Sequence, residues 1–156
     1  MTVTLKRILT SDFPTWIDQS CAEYVGDLLA QGRSHEEARR IAAESMARSF
    51  PDGTQSPGNE VFHVMNEAEE AVGYLWIGQD VTTDAGAWWV WDVFINADHR
   101  GQGHGRKTML LGEQYARSHG AHSLGLSVFG FNTGARGLYD SLGYETTSVK
   151  MLKKLD

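Results

Sequence analysis

The chain has 156 residues, of which 41% are hydrophobic and 22% are charged, and its formal net charge is −6. This length suits a single domain, 1–156, with a sizeable core, and the composition is typical of a folded protein rather than a disordered one. The negative charge disfavours a nucleic-acid-binding protein, which normally presents a basic surface. It is compatible with a cationic partner, although many acidic proteins are simply soluble.

The cysteine count and the length of the apolar segments indicate in which cellular compartment the protein is expected. Cys21 is the only cysteine, so no internal disulfide can form, and its place on the apolar side of a predicted helix indicates a buried structural thiol. No apolar run is long enough to cross a membrane, and Met1–Lys6 lacks the apolar core of a signal peptide. We therefore expect a cytoplasmic protein without a membrane partner.

The hydrophobic pattern predicts strands and helices in an irregular order. The first half of the chain predicts a strand over Val3–Ile8, a helix from Ser11 to Gly32, and a helix opened by the capping box Ser34–Glu37. Hairpin strands Glu60–Met65 and Val72–Gly78 follow around the turn Asn66–Glu70, and then come a turn at Thr82–Gly86 and a strand over Trp88–Ile95. The remaining elements are a helix ending near His119, a strand over Ser123–Val128, a helix from Ala135 to Leu142, and a last strand or strand pair over Tyr144–Leu152. Strands and helices do not alternate regularly, which disfavours a doubly wound fold. We predict an α/β or mixed α+β domain around a mostly antiparallel central sheet flanked by helices.

A glycine-rich segment, Arg100–Arg106, follows the most apolar strand and opens the next helix. Glycines allow the backbone to approach a ligand closely, and the free N–H groups at a helix N-terminus favour an anion. A pyrophosphate suits such a site, and Lys107 adds to the positive charge of the two arginines. The segment is not a Walker A motif, because Arg106 stands where the second glycine is required. It also fails the dinucleotide fingerprint, because the third glycine comes one residue early.

Two motifs lie in the second half of the chain. Arg100, Gly103 and Gly105 follow the pattern Arg/Gln-x-x-Gly-x-Gly/Ala after an apolar strand. The pattern Asn-x-x-Ala-x-x-Leu-Tyr-x-x-x-Gly-Phe/Tyr is matched at every position by Asn132, Ala135, Leu138, Tyr139, Gly143 and Tyr144. In their order and separation the two motifs resemble those of the GNAT superfamily of N-acetyltransferases, and the resemblance covers Trp88–Tyr144.

This resemblance implies a mixed sheet that splays open after its central strand, with acetyl-CoA as cosubstrate in the opening. It implies that backbone groups of Val93, Phe94 and Ile95 pair with pantetheine. It implies that the pyrophosphate is held by the loop residues Arg100, Gly101, Gln102, Gly103, His104, Gly105 and Arg106. Asn132 would contact the cofactor arm or close the local turn. His104 departs from the family, which usually has an apolar residue there, but the loop contacts come mostly from the backbone.

The implied reaction is direct attack of an amine on the acetyl thioester. An alkylamine is largely protonated at pH 7 and must lose a proton first, so a base is useful. Asp92, the only charge in an apolar strand, is the candidate base or amine anchor; the alternative is a structural hydrogen bond to a loop or a tryptophan N–H. Tyr139 is the candidate acid for the leaving thiolate, and the alternative is a core tyrosine on an amphipathic helix. Glu23 and Glu60 are further candidates for the acceptor pocket.

The sequence therefore predicts an acetyl-CoA-dependent N-acetyltransferase that acts on a primary amine of a small cationic molecule or a peptide. The alternative is a non-catalytic acyl-CoA-binding or sensor module on the same fold, and the failed Walker A spacing disfavours a nucleotide-binding protein. We expect no metal, because His119 and His122 lack further ligands at recognisable spacing and are better explained as solvated. Homodimers are common in the family, but no feature of this sequence specifies one.

Overall fold

The computed structural model of the protein describes residues 2–80 and 84–156, so part of the predicted turn Thr82–Gly86 lies outside the described residues. The strands are β1 Thr4–Arg7, β2 Asn59–Met65, β3 Ala71–Gln79, β4 Ala87–Ile95 and β5 Ser123–Leu126. The helices are α1 Phe13–Ala30, α2 His35–Ser49, α3 His104–Ser118 and α4 Thr133–Ser141. Short 3-10 turns, Thr10–Asp12 and Ala97–His99, precede α1 and the glycine-rich loop.

These five strands form one sheet in the order β1-β2-β3-β4-β5. The first four strands are antiparallel to their neighbours, whereas β5 runs parallel to β4. A parallel pair needs a crossover connection, and α3 supplies it between β4 and β5. The predicted mixed fold with a mostly antiparallel sheet is confirmed.

Several helix boundaries follow the signals in the sequence. Pro14 lies in the first turn of α1, where its missing N–H costs nothing. The Ser34 hydroxyl accepts a hydrogen bond from the backbone N–H of Glu37 at 3.2 Å and so caps α2. Gly32, after α1, has a φ of 99°, a conformation that favours glycine at the end of a helix.

Strand β3 is buried on both faces, which explains its nearly continuous apolar sequence. Successive side chains point to opposite faces and enter two separate clusters. The cluster on the α1 side contains Phe13, Trp16, Phe50, Val61, Tyr74 and Trp76. The cluster on the α3 side contains Phe62, Leu75, Ile77, Trp88, Val90, Met109 and Ala116. The sheet is thus held between α1 and α2 on one face and α3 on the other.

The predicted last strand is wrong, because no residue of Tyr144–Asp156 belongs to a strand. The Tyr144 hydroxyl donates to Glu113 Oε2 on α3 at 3.1 Å, which ties the start of this segment to α3. Its far end reaches the turn after α1, where Lys154 Nζ lies 3.7 Å from the position of a Cβ on Gly32. The segment borders β5 at its start but forms no ladder with it. Strand β5 is also shorter than predicted and ends at Leu126.

Strand β3 approaches β4 closely at Gly73. A Cβ there would collide with the carbonyl oxygen of Phe94 and lie 3.1 Å from the Cα of Ile95, and these backbone atoms cannot rotate away. We expect Gly73→Ala to lower the free energy of unfolding by about 1–3 kcal/mol. A Cβ on Gly26, inside α1, would meet no atom within 4 Å, so Gly26→Ala should be neutral or stabilise by about 0.5–1 kcal/mol. Urea unfolding of both variants tests this, and equal losses would contradict the close approach.

Candidate active site

The glycine-rich loop lies between the end of β4 and the start of α3. Gly101 and Gly103 have φ values of 75° and 82°, and a Cβ on either would meet no atom within 4 Å. Backbone conformation, rather than crowding within the protein, therefore explains these two glycines. The backbone N–H groups in the first turn of a helix have no acceptor within that helix. In α3, the first N–H group with a backbone acceptor is that of Lys107, which donates to the carbonyl oxygen of Gly103 at 3.2 Å. The loop thus presents backbone donors and open space, which suits an anion.

Both arginines of the loop are held by the protein. Arg100 Nε donates to the carbonyl oxygen of Ile95 at 2.7 Å, and the guanidinium carbon lies 5.0 Å from the centre of the Phe94 ring. Arg106 donates to the Ser141 hydroxyl at 2.5 Å and thereby joins α3 to α4. These contacts fix positive charge at both ends of the loop.

The side chain of His104 points into the protein. It is only 3% exposed, its ring lies 6.4 Å from that of His99, and its Nδ1 has no hydrogen-bond partner among the described residues. Its backbone carbonyl accepts from the Thr108 hydroxyl at 2.7 Å. At this position only the backbone N–H is available to a ligand of the loop, and the buried imidazole nitrogen is an energetic cost.

The sheet opens beside the second half of β4. Strand β4 pairs with β3 up to Ile95, but its pairing with β5 covers only Ala87–Val90. Trp76 pairs with Asp92 and Ile77 with Val90, so Trp91 is an extra residue in β4, a bulge. Beyond it, the described part of the chain offers no strand to the β5-facing side of residues 92–95. The predicted splay after the central strand is therefore present.

Asn132 precedes α4, which is joined to α3 through Arg106 and Ser141. The Oδ1 of Asn132 accepts a hydrogen bond from the backbone N–H of Ala135 at 3.2 Å. Of the two roles that the sequence left open, closing the local turn is the one with a visible contact. The side chain caps α4 and so orients the helix that carries Tyr139.

Asp92 projects from β4 toward α1, and two hydroxyl groups donate hydrogen bonds to the same oxygen of its carboxylate. The Ser20 hydroxyl of α1 donates to Oδ2 at 2.6 Å and the Tyr74 hydroxyl of β3 donates to it at 2.8 Å. Burial raises the pKa of Asp92, the two donated bonds oppose that rise, and the nearby Asp27 and Glu23 carboxylates add to it. Within the described residues, the carboxylate thus bonds to side chains of α1 and β3, and not to a loop or a tryptophan N–H as the alternative from the sequence had it.

Tyr139 lies half-buried on α4 and packs against the α3-side cluster. Its ring is 5.9 Å from that of Tyr144. Burial raises the pKa of the Tyr139 hydroxyl, and the negative charge of Asp92 raises it further. No hydrogen bond to this hydroxyl occurs within the described residues. Two groups from separate elements, one at β4 and one at α4, are therefore within electrostatic reach of each other.

The two glutamates considered for the acceptor pocket, Glu23 and Glu60, lie on different faces of the sheet. Glu23 acts on Asp92 from α1. Glu60 instead forms an ion pair with Arg7 at 3.4 Å, and Arg7 also donates to the Tyr115 hydroxyl of α3 at 2.8 Å. Glu60 thus lies on the α3 face of the sheet, away from Asp92. Sequence reasoning missed Ser20 and Tyr74, although the positions 20, 23 and 27 on one side of a helix were a usable signal.

The two histidines considered for a metal, and Cys21, make contacts of other kinds. His122 Nε2 lies 3.0 Å from Asp84 Oδ1, and His119 stacks on Tyr115 with ring centres 4.0 Å apart. Residues 2–80 and 84–156 contain no cluster of three or more histidine, cysteine or acidic side chains suited to a metal. Cys21 is half-buried rather than buried as predicted, because it flanks the sheet-facing side of α1, and burial raises the pKa of its thiol.

No helix in the described ranges is long and apolar enough to span a membrane.

Comparisons with known proteins agree with this architecture. The model of the Acetyltransferase (GNAT) family matches residues 14–144. The uncharacterized N-acetyltransferase YycN of Bacillus subtilis is 27% identical over an alignment of 156 positions that covers 99% of this chain and 100% of that protein. The uncharacterized N-acetyltransferase YdgE of the same organism is 24% identical, with 99% of each chain covered.

Solved structures show the same fold. The crystal structure of Bacillus subtilis YycN aligns with a TM-score of 0.90 at 26% identity, covering 99% of each chain. A structure of AAC(6')-Iy in complex with the bisubstrate analogue CoA-S-monomethyl-acetylneamine aligns with a TM-score of 0.63 at 12% identity, covering 100% of this chain and 99% of that chain. At this low identity the second likeness extends to the fold alone.

Proposed function

Because the chain belongs to the acetyltransferase (GNAT) family, we propose that it is an enzyme that transfers an acetyl group from acetyl-CoA to a primary amine. The observation that carries this proposal is the meeting of three features along β4. They are the glycine-rich loop after Ile95, the opening beside residues 92–95, and the two polar groups Asp92 and Tyr139, of which the first raises the pKa of the second. The acceptor is a small cationic molecule or a peptide amine.

The residues of the loop and the opening suit CoA. Backbone N–H groups of residues 102–106 would hold the pyrophosphate, since Gly101 and Gly103 leave open space over them. The unpaired side of Val93–Ile95 offers backbone groups that would pair with pantetheine as an added strand does. Acetyl-CoA, when bound, supplies the acetyl thioester that reacts with the amine. The fold of a neighbour that holds a CoA-containing analogue supports this assignment.

Asp92 is our candidate for the group that binds the amine and takes its proton. Ser20 and Tyr74 hold Oδ2, and Oδ1 has no hydrogen-bond partner in the described residues. A raised pKa makes the carboxylate a better proton acceptor than an exposed aspartate. Glu23 and Asp27 add negative charge beside it, which favours a cationic acceptor.

Tyr139 is our candidate for the acid. The Tyr139 hydroxyl is protonated at neutral pH, since its pKa lies above the ordinary tyrosine value of about 10, and it has a proton to give to the thiolate as it leaves. The overall proposal is tested by calorimetry with acetyl-CoA followed by a thiol-release assay over a panel of amines. Tight acetyl-CoA binding with no release on any amine would favour the sensor module, and absence of binding would refute both functions.

The first prediction concerns the loop. Gly103→Glu should weaken acetyl-CoA binding by about a hundredfold or more, because like charges 4 Å apart repel by about 4 kcal/mol at an effective dielectric of about 20. Gly120→Glu is the matched control, since Gly120 also has a positive φ, of 93°, and an open Cβ direction at the far end of α3. Calorimetry measures both variants, and unchanged affinity of the Gly103 variant would show that the pyrophosphate binds elsewhere.

A second prediction concerns the acid. Tyr139→Phe should lower kcat by about a hundredfold, in the range of general acid catalysis, with little change in the dissociation constant of acetyl-CoA. Tyr144→Phe is the control, because its hydroxyl is engaged with Glu113. Stopped-flow or steady-state thiol release gives both rates. If the two variants turn over equally well, Tyr139 is not the acid.

A third prediction concerns the pH dependence. The hydrogen bond from Ser20 stabilises the Asp92 carboxylate and lowers its pKa, so Ser20→Ala should raise that pKa. Since the base acts as the carboxylate, the rate rises with pH through this pKa, and the acidic limb should move to higher pH by about 1 unit. Ser118→Ala removes a hydroxyl far from Asp92 and should leave the limb in place. An unmoved limb in the Ser20 variant would assign the base to another group.

A further inference from the structure

The bulge in β4 places two consecutive side chains on one face of the sheet. In a regular strand, neighbouring side chains point to opposite faces. Here the Asp92 carboxylate reaches Ser20 of α1. The Trp91 ring packs on that of Trp76, which belongs to the α1-side cluster, with ring centres 6.1 Å apart. An acid and a large aromatic ring therefore lie side by side on the α1 face, where the opening in the sheet begins.

Trp91 differs from most of the other tryptophans in its exposure. It is 44% exposed, whereas Trp16, Trp76 and Trp88 are at most 5% exposed. A single exposed apolar side chain is common on protein surfaces and needs no explanation. Trp91 is not isolated, however, because the half-buried ring of Trp89 lies 6.0 Å from its own. The uncovered part of Trp91 thus belongs to a continuous aromatic surface, of the kind that marks a binding site.

Contacts within the fold hold this aromatic surface in place. The Trp76 ring under Trp91 packs on Phe50 with ring centres 5.0 Å apart. The Trp89 ring occupies the space that Gly125 of β5 leaves free, since a Cβ on Gly125 would collide with it. The surface is therefore organised before a ligand arrives, and binding would cost it little conformational freedom.

The charge beside the aromatic surface favours a cation. The Asp92 carboxylate adjoins Trp91 in the chain, and the carboxylates of Glu23 and Asp27 lie near enough to Asp92 to act on its charge. An ammonium group would find opposite charge at Asp92. An aromatic ring in the same molecule would find the Trp91 ring next to it, and aromatic pairs attract beyond the area that they bury. A molecule with both groups therefore complements this face of the sheet.

We propose that Trp91 is a specificity-determining residue and that the acceptor is a small primary amine carrying an aromatic ring, an arylalkylamine. This inference rests on the proposed transferase function, in which Asp92 binds the amine. The ring of the acceptor packs on Trp91 and Trp89 while its nitrogen lies at Asp92. Binding of the ring thereby fixes the nitrogen at the inner end of the opening, away from the glycine-rich loop.

The first test measures thiol release with 2-phenylethylamine, n-propylamine and 1,3-diaminopropane. In the wild type, kcat/KM for 2-phenylethylamine should exceed that for n-propylamine by about thirtyfold, since apolar contacts discriminate between substrates by roughly 10- to 200-fold. Trp91→Ala should bring this ratio below about threefold, because the ring of the acceptor loses its main contact. Trp91→Phe should keep most of the ratio, since it retains an aromatic ring. Leu110→Ala changes a similarly exposed residue on α3 and should leave the ratio as it is.

The second test needs no turnover. Calorimetry measures the binding of 2-phenylethylamine to protein saturated with CoA, which carries no acetyl group, and Trp91→Ala should weaken this binding by about tenfold. Circular dichroism checks that each variant is folded.

The two tests separate this inference from the proposed function. Equal kcat/KM for all three amines, or a preference for 1,3-diaminopropane, would overturn the inference and leave the transferase function standing. Binding of 2-phenylethylamine that depends on Trp91, without acetylation of any amine, would support the aromatic site and refute the transferase function. Equal binding by the wild type and Trp91→Ala, or no binding by either, would overturn the inference.

Discussion

The extra residue in β4 at Trp91 governs how the rest of the site is arranged. In a regular strand, Val90 and Asp92 would lie on the same face, because side chains alternate with a period of two. The bulge separates them, so that Val90 enters the cluster under α3 while Asp92 turns toward Ser20 of α1. Pairing with β5 stops at Val90, immediately before the bulge, and the sheet opens from there. One inserted residue therefore directs the carboxylate and marks where the opening begins.

A carboxylate in such an apolar strand is costly unless hydrogen bonds compensate it. Two hydroxyl groups do so at a single oxygen, and they come from elements far apart in the chain, Ser20 in α1 and Tyr74 in β3. Tyr74 is in turn fixed between Trp16 and Phe94, with ring centres 5.9 Å and 5.6 Å away. The aromatic cluster under α1 thus serves the site as well as the core, since it limits where the Tyr74 hydroxyl can lie.

Local sequence patterns predicted the structure correctly where the signal comes from residues close together in the chain. The glycines before α3, the Ser34 cap and the Asn132 cap each act within a few residues, and the structure agrees with them. Tyr144–Leu152 was also predicted to form a strand or strand pair, yet it forms no strand here. Alternation reports which residues suit a strand, but a strand also needs an edge, and the path of the chain decides which edge is within reach.

The sequence by itself determined the mixed fold and the family, and it predicted the loop that suits an anion and the two polar residues, Asp92 at β4 and Tyr139 at α4. Its motifs suffice for these because they depend on spacing along the chain and on residues that tolerate positive φ or cap a helix. Only the tertiary structure decided that Asp92 faces α1, that Ser20 and Tyr74 hold it, that Glu60 lies on the other face, and that the segment after Gly143 forms no ladder with β5. Each of these depends on strand register and on contacts between residues tens of positions apart, which no local pattern records.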